Sequence, residues 1–179
     1  GSKNYWEKRY TNKGTSGAGS YNRLATFKAD VLNAFVKENN IKSVVEFGCG
    51  DGNQLSLATY PDYIGVDVSK TAVQLCKNLF KEDASKRFFE YNTDTYKNAN
   101  IKADLSLSLD VIYHLIEDPV FEAHMTDLFS AATKYVIIYS SNYDKKQTYH
   151  ERDRTFTDWV TKHCPTWSLL EVIKNPYPF

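Results

Sequence analysis

From Tyr21 to about Asn39 the apolar residues Leu24, Phe27, Val31 and Phe35 recur at three- and four-residue steps, the spacing of one helix face, and Asn39-Asn40 supplies a stop. The pattern then changes to a short apolar run, Ser43-Val44-Val45-Glu46-Phe47, which reads as a strand. Its exit is the glycine turn Gly48-Cys49-Gly50-Asp51-Gly52, followed by a short helix from Asn53 to Ala58 that Tyr60-Pro61 breaks. The alternation repeats with a strand from Tyr63 to Asp67 and a helix from about Lys70 to Phe80. Ser69 is its N-cap, and Leu75, Cys76, Leu79 and Phe80 face inward. A third strand covers Arg87 to Tyr91. In a fourth, Ala103 to Leu109, the leucines alternate with serines small enough to pack against helices on the other face. Asp118 as N-cap and Pro119 in the first turn open a helix with Phe121, Met125, Leu128, Phe129 and Ala132 as its buried stripe, and the strand Tyr135 to Tyr139 follows. Five strands alternating with helices predict an α/β fold. Its mostly parallel sheet is wound with helices on both faces and binds ligands at the carboxyl ends of the strands, near the switch in strand order.

The two ends of the chain are less regular. Residues 3 to 20 run Tyr5-Trp6-Glu7-Lys8-Arg9-Tyr10 and then Gly14-Thr15-Ser16-Gly17-Ala18-Gly19-Ser20 without a period, and residues 1–20 read as a mobile arm or lid. Gly1 and Ser2 look like a tag-cleavage scar. Residues 21–179 form the single domain, with a divergent part from about residue 140. There Thr157-Asp158-Trp159-Val160 opens a short helix and Trp167 to Ile173 reads as one last strand.

Composition narrows the partners. The chain's 179 residues, 42 % hydrophobic, suit one core, and 22 Lys plus Arg against 22 Asp plus Glu leave no net charge to draw in a polyanion, so no nucleic-acid partner is expected. No apolar run approaches the roughly 20 residues of a membrane-spanning helix. With no signal-peptide layout either, the expectation is a cytoplasmic protein without a membrane partner. Cys49, Cys76 and Cys164 are odd in number and far apart, without C-x-x-C pairs, and read as reduced packing residues; no metal is expected.

The candidate chemistry begins at the glycine turn. Three glycines at alternate positions after a strand permit positive φ and let a backbone lie flush against a nucleoside or an amino-acid tail. Asp67 ends the next strand nineteen positions beyond Gly48, the spacing at which a carboxylate accepts both hydroxyls of a ribose. A glycine-rich turn and a strand-end aspartate without ligands are the competing reading. The dinucleotide fingerprint needs glycine at its sixth position, where this chain has Asn53, which counts against a nicotinamide dinucleotide. Glu46, two places before the first glycine, adds negative charge where a pyrophosphate would lie and suits a cationic ligand.

Glu46 with Gly48-Cys49-Gly50-Asp51-Gly52 resembles the first motif of the class I S-adenosylmethionine-dependent methyltransferases, and the resemblance runs from about Tyr5 to Asn142. It implies the Rossmann-like fold of that family, with S-adenosylmethionine as cofactor and S-adenosylhomocysteine as product. It further implies that Glu46, Gly48, Cys49, Gly50 and Asn53 form the cofactor turn, that Asp67 holds the ribose, and that Val68 flanks the adenine. Thr93 and Asp94 then lie beside the adenine amino group, with Asp94 the preferred partner. The segment Ser108-Leu109-Asp110-Val111-Ile112-Tyr113-His114-Leu115 resembles the family's stretch beside the sulfonium, with Leu109 and Asp110 in backbone contact. The opening Tyr5 to Tyr10 resembles an aromatic arm folded over the cofactor, which makes Tyr10, Tyr21 and Arg23 contacts, Arg23 pairing with the methionine carboxylate.

Methyl transfer to an alcohol needs a group to take the hydroxyl proton. His114, just past strand four, is the candidate base, and a loop-capping structural histidine is the competing reading. Tyr113 and Asp110 are weaker substitutes. In an extended stretch, period two puts His150, Arg152 and Arg154 on one face, where with Tyr113 they would hold a phosphate or carboxylate of the acceptor. A solvated run of alternating charge is the alternative. The tail resembles small methyltransferases of surface-polysaccharide and related metabolite pathways. The expected activity is O-methylation of a small polar, anionic metabolite: a sugar, a sugar nucleotide or a phosphorus-bearing group. An NAD-dependent oxidoreductase and a non-catalytic cofactor-binding module are the alternatives.

Overall fold

The computed structural model describes residues 1–92 and 100–177. In chain order the elements are α1 (Ser2–Thr11), α2 (Asn22–Glu38), β1 (Ser43–Phe47), α3 (Asn53–Ser56), β2 (Asp62–Asp67), α4 (Lys70–Leu79) and β3 (Lys86–Glu90). They continue with β4 (Ala103–Leu109), α5 (Asp118–Ala131), β5 (Ala132–Tyr139) and α6 (Phe156–His163), with single 3-10 turns at Ala18–Ser20 and Ile112–His114. The five strands form one sheet in the order β3-β2-β1-β4-β5, with every pairing parallel. Strand order reverses between β1 and β4, so the connections leaving their carboxyl ends turn to opposite faces of the sheet and leave a crevice there.

Both faces of the sheet are packed because successive side chains of a strand point opposite ways. Val44, Leu105, Leu107 and Leu109 meet Leu32 and Val36 of α2 and Val73 and Cys76 of α4. Val45, Phe47 and Val66 meet Phe121, Met125 and Leu128 of α5. Ser106 and Ser108 of β4 are fully buried, as their small volume between leucines allows.

Packing sets details that periodicity leaves open. The buried face of α2 is Leu24, Ala25, Lys28, Ala29, Leu32 and Val36, with Phe27 and Val31 only half-buried. On α4 the inward residues are Ala72, Val73 and Cys76, while Leu75 and Leu79 are exposed. The small side chains lie against the sheet because a helix packs closer over Ala and Cys than over Leu. Ser69 does cap α4, its side chain accepting the Ala72 amide at 3.1 Å. On α5 the cap position is Glu117, and Asp118 lies inside the first turn with its carboxylate turned to two arginines. Ala132 begins β5 rather than ending the helix.

Two larger corrections lie at the ends. Residues 2 to 11, which carry no period, are an α-helix. Residues 167 to 173 form no strand: Leu169, Leu170 and Val172 are 75, 74 and 78 % exposed. An apolar run supplies side chains for a strand, whereas the strand itself requires a backbone partner in register. Among the described residues no helix is long and apolar enough to cross a membrane.

Candidate active site

The turn after β1 closes by hydrogen bonds from the Gly48 and Cys49 amides to the Val66 carbonyl, at 2.7 and 3.2 Å. Gly48 and Gly50 have φ of +92° and +59°, conformations that side chains resist. A Cβ on Gly48 would lie 2.5 Å from Val111, and one on Gly50 would lie 2.3 Å from the Ser16 hydroxyl. The glycines are therefore required by backbone conformation and by protein packed directly against them. Cys49 and Cys76 fill the space behind the turn, with the Cys76 thiol donating to the Gly50 carbonyl at 3.2 Å.

In front of the turn is a cavity of about 230 Å³. Its walls include Glu46, Gly48, Cys49, Gly50, Asp67, Val68, Leu109, Asp110, Tyr10 and His114. Asp67 is buried at the tip of β2, its two oxygens accepting the Gly50 and Ser69 amides at 3.0 and 2.9 Å. Burial outweighs these bonds and raises the carboxyl to about 6. Glu46 accepts the Tyr63 hydroxyl at 2.6 Å, and burial pushes it up to about 7. Asp110 has φ +58° and pairs with buried Lys28, while its other oxygen accepts the Tyr113 hydroxyl at 3.0 Å. Burial and Asp110 both hold the Tyr113 phenol protonated, so Tyr113 is no ready base.

α1 forms the roof. Glu7 anchors it to the start of α4, accepting the Ser69 and Thr71 hydroxyls at 2.6 and 2.5 Å, and those bonds hold its carboxyl below the usual range. Trp6 then meets the His114 ring edge-on at 4.9 Å, Tyr5 stacks on His150 at 5.3 Å, and the Tyr10 hydroxyl pairs with Ser16 at 2.9 Å. His114 Nδ1 lies 3.2 Å from the His150 carbonyl. A carbonyl can only accept, so Nδ1 carries the proton and Nε2 keeps its lone pair in the neutral ring. Burial favours that neutral ring by lowering the imidazole below its ordinary value.

Several residues expected at the site are placed elsewhere. Arg23 is exposed and lies 4.9 Å over the Tyr177 ring, so it does not line the cavity. Tyr21 donates to Asp51 at 2.8 Å and Asn53 to the Ser20 carbonyl at 2.6 Å; both tie the amino-terminal segment to the glycine turn. Arg154 is buried, its guanidinium bonded to the Leu115 and Ile116 carbonyls and to Asp118. Arg152 reaches the Ile116 carbonyl at 3.1 Å and Asp118 at 2.9 Å. The anion these arginines grip is the protein's own Asp118, which fastens the tail to the loop beyond β4. Only His150 of that trio turns toward His114, at 6.4 Å between rings. Thr93 and Asp94 lie outside the described residues.

The structure also adds residues to the cavity wall. Trp6, Ser16, Gln54, Tyr91 and His124 line it. His124 is bonded to Ser108 at 2.9 Å, and burial lowers it to about 4. A signal for Trp6 was present in the aromatic run, but Gln54 and His124 read only as positions on helices. Among the described residues no three His, Cys, Asp or Glu side chains gather as they would around a metal ion.

A family model described as "Methyltransferase domain" matches residues 44–134, from β1 into β5. The chain belongs to the methyltransferase domain family. With its fold, that makes it a class I S-adenosylmethionine-dependent methyltransferase. It is 27 % identical over 122 residues to a small RNA 2'-O-methyltransferase of Arabidopsis thaliana, a match that covers 61 % of this chain and 13 % of that protein. The chain thus spans about an eighth of that relative's length. Among solved structures, the bacterial CtHen1-C methyltransferase domain is similar at TM-score 0.64 and 23 % identity, over 80 % of this chain and 85 % of that one. Magnesium protoporphyrin IX methyltransferase from Synechocystis PCC 6803, with bound SAM, is similar at TM-score 0.63 and 16 % identity, over 90 and 85 %. The cavity fits a methyl sulfonium cofactor: buried carboxylates Glu46 and Asp67 flank the turn and suit a ligand with a cationic end and a diol.

Proposed function

We propose that this methyltransferase transfers its methyl group to a hydroxyl of a small polar metabolite, and that His114 takes the hydroxyl proton. When bound, S-adenosylmethionine supplies an activated methyl that carries its own leaving group. The protein then has to align the acceptor, keep water out and receive one proton. Asp67 would hold the ribose, Val68 the adenine face, and the Leu109-Asp110 backbone the sulfonium side. Trp6 and Tyr10 of α1 shield the reacting atoms from water.

The observation that supports this reading best is the His114 Nδ1 contact to the His150 carbonyl, which leaves Nε2 as the proton acceptor of a residue that lines the cavity. A neutral, oriented imidazole suits an alcohol, a weak nucleophile that must give up its proton as the carbon–oxygen bond forms, better than an unprotonated amine, which attacks without first losing a proton. With Arg152 and Arg154 committed to Asp118, acceptor recognition falls to Trp6 and His114 in the cavity wall, with Tyr5 and His150 stacked on each other beside them, an aromatic cluster suited to a sugar ring.

A second reading is a ribose 2'-hydroxyl of a small RNA, which the likeness to a small RNA 2'-O-methyltransferase favours and the zero net charge opposes. Release of S-adenosylhomocysteine, measured against a panel of sugars, sugar nucleotides, phosphorylated metabolites, amines and short RNAs, tests both. Turnover on a sugar hydroxyl is expected. Turnover on RNA alone would select the second reading, and turnover on amines alone would overturn both.

A further inference from the structure

The cofactor-binding reading leaves one cavity-wall group without a task. Gln54, on α3, is 7 % exposed, and its amide is oriented by Nε2 donating to the Ala25 carbonyl at 3.0 Å. That bond fixes which end is nitrogen, since a carbonyl needs a donor opposite it. The other end, Oε1, is buried with no hydrogen-bond partner among the described residues. A buried amide oxygen left bare is costly, so a donor is called for.

The position of Gln54 says which donor. Asp67, the ribose candidate, is at the tip of β2, with Val68 and Tyr91 beyond it on the side of β3. Gln54 is on the opposite side. Its partner Ala25 stands one helical turn before Lys28, whose ammonium reaches Asp110 after β4. A nucleoside cofactor with its ribose on Asp67 and its adenine toward β3 therefore extends its amino-acid tail toward β4 and Gln54. That tail carries an ammonium, which only donates, and Oε1 only accepts. Glu46, buried in the same wall, adds carboxyl oxygens that an ammonium can pair with.

We infer that Gln54 is a positioning residue for the cofactor, its Oε1 accepting a hydrogen bond from the α-ammonium of the methionine tail. This rests on the cofactor reading. It deepens that reading by assigning discrimination between the amino acid and its deaminated form to one side chain.

Calorimetry with two ligands tests it without turnover: S-adenosylhomocysteine, and its analogue with hydrogen in place of the amino group. The protein is expected to prefer the parent ligand. Gln54→Met, which keeps the side-chain length, should weaken the parent by on the order of 10-fold to 100-fold, the range for a hydrogen bond to a charged group, and leave the analogue unchanged. Gln54→Glu keeps an acceptor and should retain the preference. Equal weakening of both ligands by Gln54→Met would mean a structural role only, and no weakening would mean that Oε1 is satisfied by water; either overturns the inference. Failure of the unsubstituted protein to bind S-adenosylhomocysteine would instead defeat the cofactor reading itself.

Discussion

The Gly50 amide donates to the Asp67 carboxylate at 3.0 Å, so the turn after β1 and the tip of β2 are one unit. The oxygen that shapes the glycine turn belongs to the same carboxylate that faces the cavity. Deleting it changes the shape of the site as well as its chemistry.

Asp67→Asn is accordingly expected to weaken S-adenosylhomocysteine by on the order of 10-fold or more, because the ribose loses a charged acceptor and one of the Gly50 and Ser69 amides loses its partner. Binding by the unsubstituted protein should also decline with acidity. Burial holds Asp67 near 6, and below that pH the ligand meets a protonated carboxyl. Calorimetric titrations between pH 5 and pH 8 check both, and a flat profile with an unaffected Asn variant would remove Asp67 from the ribose.

Glu46 makes stability depend on pH with a definite sign. Its carboxyl titrates near 4.5 in the unfolded chain and is raised to about 7 by burial in the fold. Between those values the folded protein binds a proton that the unfolded chain releases, so this group's contribution to stability falls as pH rises through the window and levels off above it. The full effect is on the order of 3 kcal/mol. Glu46→Gln keeps an acceptor for the Tyr63 hydroxyl and removes the charge. Ligand-free melts are expected to show a higher Tm for this variant at pH 8 and no gain at pH 4.5. Parallel curves for the two proteins would count against a raised carboxyl.

His114→Ala is expected to lower turnover by roughly 100-fold to 10,000-fold, the usual contribution of general-base catalysis, while S-adenosylhomocysteine binds as before. Because burial lowers the imidazole below its ordinary 6.5, the acid limb of the rate profile should fall below pH 6.5, with a plateau across neutrality. A variant that turns over at the original rate would assign the ring to packing under Trp6.

Arg154→Ala is expected to destabilise the fold by about 2 to 4 kcal/mol, since it strips buried carbonyls of their donors. Arg152→Ala, whose exposed pair with Asp118 is better solvated, should cost about 1 kcal/mol or less. Denaturant titrations separate the two. If Arg154→Ala folded normally but bound the acceptor poorly, the guanidinium would belong to the substrate after all.

The β1 run, the glycine turn and Asp67 were legible in the sequence because each depends on a local rule: strand period, positive φ, and a carboxylate at a strand tip. The same holds for β4, whose alternating leucines and serines match its two buried faces. α1 was not legible. It has no apolar stripe of its own and is held by Glu7 on Ser69 and Thr71 and by rings packed on His114 and His150, more than sixty residues away. Arg154 and the Leu75 face of α4 were misread for a related reason, since a charge pattern does not name its counter-ion and a helical period does not fix rotation. The amino-acid order by itself determined the alternation of elements and the backbone conformations at the turn, which are properties of neighbouring residues. Which side chains line the cavity, which histidine nitrogen carries the proton and which arginine is already occupied were decided only by the tertiary structure, because those depend on groups that folding alone brings within a hydrogen bond's length.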